Sequence, residues 1–215
     1  MGDIARIELI GGHPAVDFVN TLGGDHQTLD ECVHSYDDLL IWTERAHLID
    51  AHQADTLRSL ASTRPADAAR VLDDARFLRS SVDRVLRAAT ANESAPTDAL
   101  DHIRDVHADA IGAARLRMPA GAGSPGRRQS GGYDWTWPPG APRQLAFVLW
   151  QLSRYVVDFL RTGDLHRLKR CAECRWIFLD ESRNNSRRWC SMKGCGARAK
   201  MRRYRAGHTR TAPRP

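Results

Sequence analysis

Apolar positions along the first 160 residues recur every three to four residues, the spacing of helices that bury one face, and turn-forming residues cut the pattern into segments. Ser35, with Asp38 three residues on, resembles a capping box with Asp in place of the usual Glu, and it opens a helix carrying Leu39, Leu40, Trp42 and Leu48. A second helix follows through Leu57 and Leu60. Pro65 suits the first turn of a third, where a missing N–H costs nothing, and Val71, Leu72, Ala75, Leu78, Val82, Val85 and Leu86 trace its apolar stripe. Another helix is expected after Pro96 with Leu100, Ile103, Val106, Ala110 and Ile111, and a strongly apolar one past Pro142 with Leu145, Val148, Leu149, Leu152, Tyr155, Val156 and Phe159. If Pro14 also starts a helix, Asp17, Asn20 and Thr21 share one of its faces.

Between Pro119 and Pro142 glycine and proline recur too often for a helix. Arg115–Met118 and Tyr133–Trp137 alternate and flank the Gly/Ser/Arg-rich stretch 120–132, so a β-hairpin with a long loop is expected. Tyr133, Trp135 and Trp137 would share a face, with Arg127 and Arg128 at the loop tip. No apolar run approaches the roughly 20 residues that span a bilayer, and a soluble, cytoplasmic protein is expected.

Cysteine spacing changes the picture at the C-terminal end. Cys171-x2-Cys174 and Cys190-x4-Cys195 gather four of the five cysteines into twenty-five residues. A thiolate pair two apart fits a tight knuckle aimed at one point, and a second pair after a hairpin-sized insertion completes a tetrahedron around Zn²⁺. Two disulfides, or four unrelated thiols, are the alternatives; with no secretory signal pointing to an oxidising compartment, zinc is favoured.

Charge is polarised around the same cysteines. Residues 161–215 carry 16 Lys+Arg against 4 Asp+Glu, a formal +12, whereas residues 1–160 carry 16 against 22, a formal −6. Lys169, Lys193 and Lys200 interleave with Trp176, Trp189 and Tyr204 in the basic part. A compact basic module of this kind is drawn to a polyanion, although a charge run that merely confers solubility is the plain alternative. Trp176–Leu179 is β-prone, Ser182–Ser186 is rich in turn formers and Arg187–Trp189 can return as a second strand, giving a hairpin between the two ligand pairs. Ala197–Arg205 is then a helix with Arg198, Arg202 and Arg205 along one face. Knuckle, hairpin and helix make a treble-clef-like module, and loss of its zinc is expected to unfold roughly residues 168–205 while sparing the helical part.

The run from Cys171 to Lys200 closely resembles the CGNR-type zinc finger, and Gly12–Thr21 is similar to the opening of the ABATE domain that precedes it in a group of bacterial stress-induced transcription regulators. One departure stands out: the Cys-Gly-Asn-Arg signature reads Cys195-Gly196-Ala197-Arg198 here, so the asparagine amide is missing. The resemblance implies a mainly α chain. An ABATE-like helical sensory or interaction domain over 1–162 would contain a small β-hairpin, a treble-clef-like Zn(Cys)4 finger would cover 163–207, and a disordered basic tail 208–215. It also implies regulation through DNA.

No nucleophile elbow, Walker loop, GxGxxG or HExxH occurs, and no catalytic residue is assigned. Expected metal ligands are Cys171, Cys174, Cys190 and Cys195, holding one structural Zn²⁺. The expected nucleic-acid face is Arg187, Arg188, Arg198, Lys200, Arg202, Arg203 and Arg205, with Arg198 as the candidate for a base edge. His13, Asp17, Asn20 and Thr21 offer a ring, a carboxylate, an amide and a hydroxyl to a small polar effector, or serve as caps and bridges between helices. Cys32 is either a redox reporter or an ordinary buried thiol. A structured-RNA or ribosome partner stays open beside DNA, and an enzyme stabilised by the finger is disfavoured.

Overall fold

The computed structural model describes residues 3–25, 27–117 and 134–209. A short helix α1 (Pro14–Asn20) leads into the hairpin β1 (Leu22–Gly24) and β2 (Leu29–Glu31), followed by α2 (Tyr36–Arg45), α3 (Ala51–Thr63), the long α4 (Pro65–Ala91) and α5 (Thr97–Ala113). After β3 (Arg115–Arg117) and β4 (Asp134–Thr136) come α6 (Phe147–Thr162), β5 (Leu168–Arg170), β6 (Ile177–Leu179) and α7 (Ala197–Thr209). The chain is thus mainly helical with small antiparallel hairpins. Among the described residues no helix is long and apolar enough to cross a membrane.

Local chemistry sets the helix ends. Ser35 and Asp38 form the reciprocal box, Asp38 N–H donating to Ser35 Oγ (3.1 Å) and Ser35 N–H to Asp38 Oδ2 (2.8 Å), so the shorter Asp reaches as Glu would. Asp50 and Gln53 repeat the device at α3. Pro65 occupies the first turn of α4, and Asn92 ends that helix in the left-handed region (φ 55°).

The expected stripe on α4 is buried throughout, whereas on α5 Ala99 takes the core position and Leu100 faces out. α6 is the central helix, its Phe147, Val148, Leu152, Val156 and Phe159 packed against α1, α4 and α5. The β3–β4 hairpin pairs Leu116 with Trp135. Trp137 then turns into the core, stacked on Trp150 with ring centroids 5.7 Å apart and edge-on to Phe147. The loop 120–132, with Arg127 and Arg128, and Tyr133 lie outside the described residues.

One strand is paired differently from the sequence expectation. β6 pairs with β5, not with Arg187–Trp189, so the hairpin turn is the Cys171–Cys174 knuckle itself, closed by Cys171 N–H on Trp176 O (2.9 Å). Residues 182–187 are instead wound around the buried Asp180. Its carboxylate accepts from Ser182 N–H (3.0 Å), Ser182 Oγ (2.5 Å), Arg187 N–H (2.7 Å) and Lys169 Nζ (2.7 Å). Burial alone would push Asp180 up, but these donors hold it well below the usual carboxylate range.

β6 also joins two cores. Successive strand residues point to opposite faces, so Ile177 belongs to the large hydrophobic core and Phe178 to the cysteine cluster, both fully buried. Leu168 on β5 enters the large core as well. Because one strand enters both interiors, the finger and the helical part are packed together through β6, and unfolding confined to residues 168–205 does not fit this packing.

Candidate metal centre and its surroundings

Cys171, Cys174, Cys190 and Cys195 are buried, and their sulfurs lie within 4.8 Å of one another. Two of the Sγ–Sγ separations, Cys174–Cys190 and Cys190–Cys195, are 3.6 Å. A tetrahedron with Zn–S bonds of about 2.3 Å has edges of about 3.8 Å, so both the donor set and its spacing fit Zn²⁺. With four protein ligands no position is left for substrate, as expected of a structural site. Without a cation the thiols cannot ionise together: hydrogen bonds from Cys174 and Cys190 pull Cys171 down, while their bonds to Cys171 push Cys174 and Cys190 up.

The knuckle delivers the first pair of ligands. Cys190 follows the loop organised by Asp180, and Cys195 sits in a π-turn, Met192–Gly196, that runs directly into α7. Ser191 caps this turn by accepting Gly194 N–H at 3.2 Å. Behind the ligands, Cys190 N–H points at Cys171 Sγ (3.4 Å) and Arg198 Nη2 lies 2.9 Å from Cys195 Sγ. A guanidinium at that distance offsets part of the thiolate charge, the role of an outer partner to a metal ligand.

Several of the seven expected nucleic-acid residues are engaged within the protein. Besides Arg198, Arg187 donates to Trp189 O (2.9 Å) and Cys190 O and lies over the Phe178 ring, 4.5 Å from its centroid. Arg202 forms a two-pronged pair with Glu173, 2.6 Å for the Nη1–Oε2 contact. Arg188 lies over the Trp189 ring, 5.4 Å from its centroid, and all of the seven except Arg187 are exposed. Lys193, left out of the expected set, is exposed too and lines the same open groove as Ala197, Arg198, Met201, Arg202 and Arg205. Its place beside the zinc turn was the available signal. Ala197, where the signature has asparagine, is exposed at the start of α7.

His13, Asp17, Asn20 and Thr21 are each hydrogen-bonded within the protein. Asn20 clamps the finger: its Nδ2 donates to Ile177 O (2.8 Å) and its Oδ1 accepts Ile177 N–H (2.9 Å). Asp17 accepts Gly11 N–H at 2.7 Å, and burial pushes its carboxyl up to about 6 despite backbone donors from Gly11 and Ile10. Thr21 donates to Phe18 O and accepts from Arg79, which also pairs with Glu31. His13 Nδ1 caps α1 through Ala15 N–H (3.1 Å), its ring stacked on Phe159 at 4.4 Å. Burial lowers the His13 pKa, so the ring is neutral at pH 7.

Further bonds cross the same junction. Leu179 N–H donates to Gly11 O (2.8 Å), and Gly12, at φ 86°, lies so close that a Cβ there would sit 3.0 Å from Leu179 Cβ. From α4, Asp83 accepts Arg175 (2.7 Å) and Arg87 (2.8 Å), and Arg87 also donates to Arg175 O (2.9 Å). A cleft of about 420 Å³ between the β1–β2 hairpin and the finger reaches Cys174, Cys190 and Cys195 and is also lined by Cys32. Burial first, then Asp30 and Glu31, pushes the Cys32 thiol up, the opposite of an activated thiolate.

Comparison with known proteins agrees with this architecture. Residues 167–208 match the CGNR zinc finger, and the four clustered cysteines fit its single structural zinc site. No curated protein matches the chain. Residues 12–163, well over half of it, match the ABATE model, described as "Putative stress-induced transcription regulator", and the chain belongs to that family.

Proposed function

We propose that this chain is a cytoplasmic, DNA-binding transcription regulator that holds duplex DNA on the exposed side of its zinc finger and has no catalytic role. The observation that carries the reading is α7: every residue from Lys200 to Ala206 is exposed, and its Arg198, Lys200, Arg202, Arg203 and Arg205 are accompanied by no acidic residue on the helix. Zinc at the helix's own start would fix that basic surface before binding, which lowers the ordering cost on meeting a polyanion. The family descriptions, a transcription regulator and a zinc finger, support the same reading.

Among the exposed cations, the phosphate contacts are assigned to Arg188, Lys200, Arg203 and Arg205, with Lys193 flanking them. Four phosphate contacts give a slope of log K against log[salt] of roughly −3 to −4 on duplex DNA, and each Ala substitution at a contact lowers its magnitude by about one. Fluorescence anisotropy with duplex DNA, single strands and structured RNA at fixed salt, followed by a salt series on the duplex, tests this. Preference for structured RNA, or binding insensitive to salt, would overturn the DNA reading.

A further inference from the structure

α7 leaves the zinc turn with Ala199 facing inward, 5 % exposed. The helical period then places Ala197, Met201 and Tyr204, at i, i+4 and i+7, on the opposite face, where they form the crest of the helix. All three are exposed, Met201 at 51 % and Tyr204 at 61 %. The same period sets the cations to either side of this line, Lys200 and Arg203 on one flank, Arg198 and Arg205 on the other. Ala197 and Met201 also line an open groove of about 870 Å³ together with Lys193 and Arg198. A helix that only covered phosphates would carry a cation at its crest. Here the outermost positions are uncharged, and their basic flanks give the profile of a helix that enters a groove with a phosphate ridge on each side.

We propose that α7 lies in the DNA major groove with Ala197 and Met201 against the C5-methyl groups of thymine, and that this contact sets the sequence preference. The contact presupposes the duplex DNA proposed above. The major groove admits an α-helix, and the thymine methyl is the apolar group that base pairs present there, so an apolar crest matches it. Guanine presents two acceptors and cytosine an amino donor at the same depth. Ala197 and Met201 would leave those groups unpaired in a desolvated interface, which counts against G·C pairs. The same contact separates the two nucleic acids: uracil lacks the methyl, and the major groove of A-form RNA is too deep and narrow for side chains to read. Ala197 follows the zinc ligand Cys195 by two residues, so the metal would fix the first of the two contacts before DNA arrives.

Fluorescence anisotropy of the zinc-loaded full chain tests the proposal on duplexes that differ in this methyl: alternating A·T, the same with deoxyuridine for thymidine, alternating G·C, and the same with 5-methylcytosine for cytosine. Deleting the thymine methyls should weaken binding, and adding the cytosine methyls should tighten it, by about fourfold for each methyl covered. Met201→Gln, at an exposed helix position, should reduce both ratios by about fourfold and leave the melting temperature of the free protein unchanged. Lys200→Ala should weaken every duplex alike and keep the ratios. Equal binding with and without the methyls, or a Met201→Gln protein that keeps the wild-type ratios, would overturn the methyl contact and leave the DNA reading standing. Binding to none of the duplexes, or tighter binding of structured RNA, would overturn the DNA reading and the methyl contact with it.

Discussion

Asn20→Ala isolates the junction between the two parts of the molecule. The amide of Asn20 satisfies both backbone groups of Ile177, at 2.8 and 2.9 Å, in a place where Asn20 is 2 % and Ile177 0 % exposed. Truncation leaves an N–H and a C=O buried without partners, and at about 1–3 kcal/mol each the loss should be about 2–6 kcal/mol. That is a large share of the stability of a domain this size. Urea denaturation should be followed with two probes: tryptophan fluorescence for the whole chain, and release of zinc to a chromophoric chelator for the finger. Because Ile177 and Phe178 of one strand enter the two cores, both probes should move to lower urea together. Asn20→Asp keeps an acceptor for Ile177 N–H but sets a carboxylate oxygen against Ile177 O, so it should be at least as damaging at neutral pH and partly recover in acid. A loss under about 0.5 kcal/mol, or a fluorescence shift that leaves zinc release unmoved, would refute the reasoning.

Arg198→Ala should speed zinc loss to a chelator and lower zinc affinity by about 10- to 100-fold, since it removes the outer partner of Cys195; unchanged zinc retention would return Arg198 to the nucleic-acid face. Cys190→Ser should abolish stoichiometric zinc by elemental analysis and, through β6, which enters both cores, also loosen the helical part, read as reduced hydrogen-exchange protection in α1. Burial raises Asp17 from 3.8 to about 6, so its favourable contribution is complete below pH 3.8 and is lost as pH rises through 6, a cost of up to about 3 kcal/mol. Asp17→Asn keeps an acceptor for Gly11 N–H and should therefore gain on the wild type in chemical denaturation between pH 4 and 7.5; a constant difference across that range would contradict the shift.

What the sequence disclosed follows the range of the interactions involved. Caps and stripes are local, so the Ser35–Asp38 box, the Pro65 start and the buried face of α4 were legible from neighbours in the chain. The Asp50–Gln53 box carries the same signature at the start of α3. The zinc ligands were legible because the knuckle encodes its own geometry. By contrast, β-propensity marks Trp176–Leu179 as a strand without naming its partner, and pairing with Leu168–Arg170 is set by the Cys171–Cys174 turn between them. The polar face of α1 was visible, but the partner of Asn20 lies 157 residues away. Positive charge was equally visible at Arg187, Arg198 and Arg202, while the carbonyls, sulfur and carboxylate that engage them appear only once the chain is folded.

The alternation of β6 between two interiors also limits how this finger can be used as a building block. A zinc finger whose hydrophobic residues all face its own metal can be cut out and fused elsewhere. Here the excised segment would carry Ile177 and Leu168 into water and leave the backbone of Ile177 unmatched. A transplant that works would have to bring α1, the Gly11–Gly12 turn and the Asp83 side of α4 with it, so the transferable unit is the finger together with the seat on which it rests.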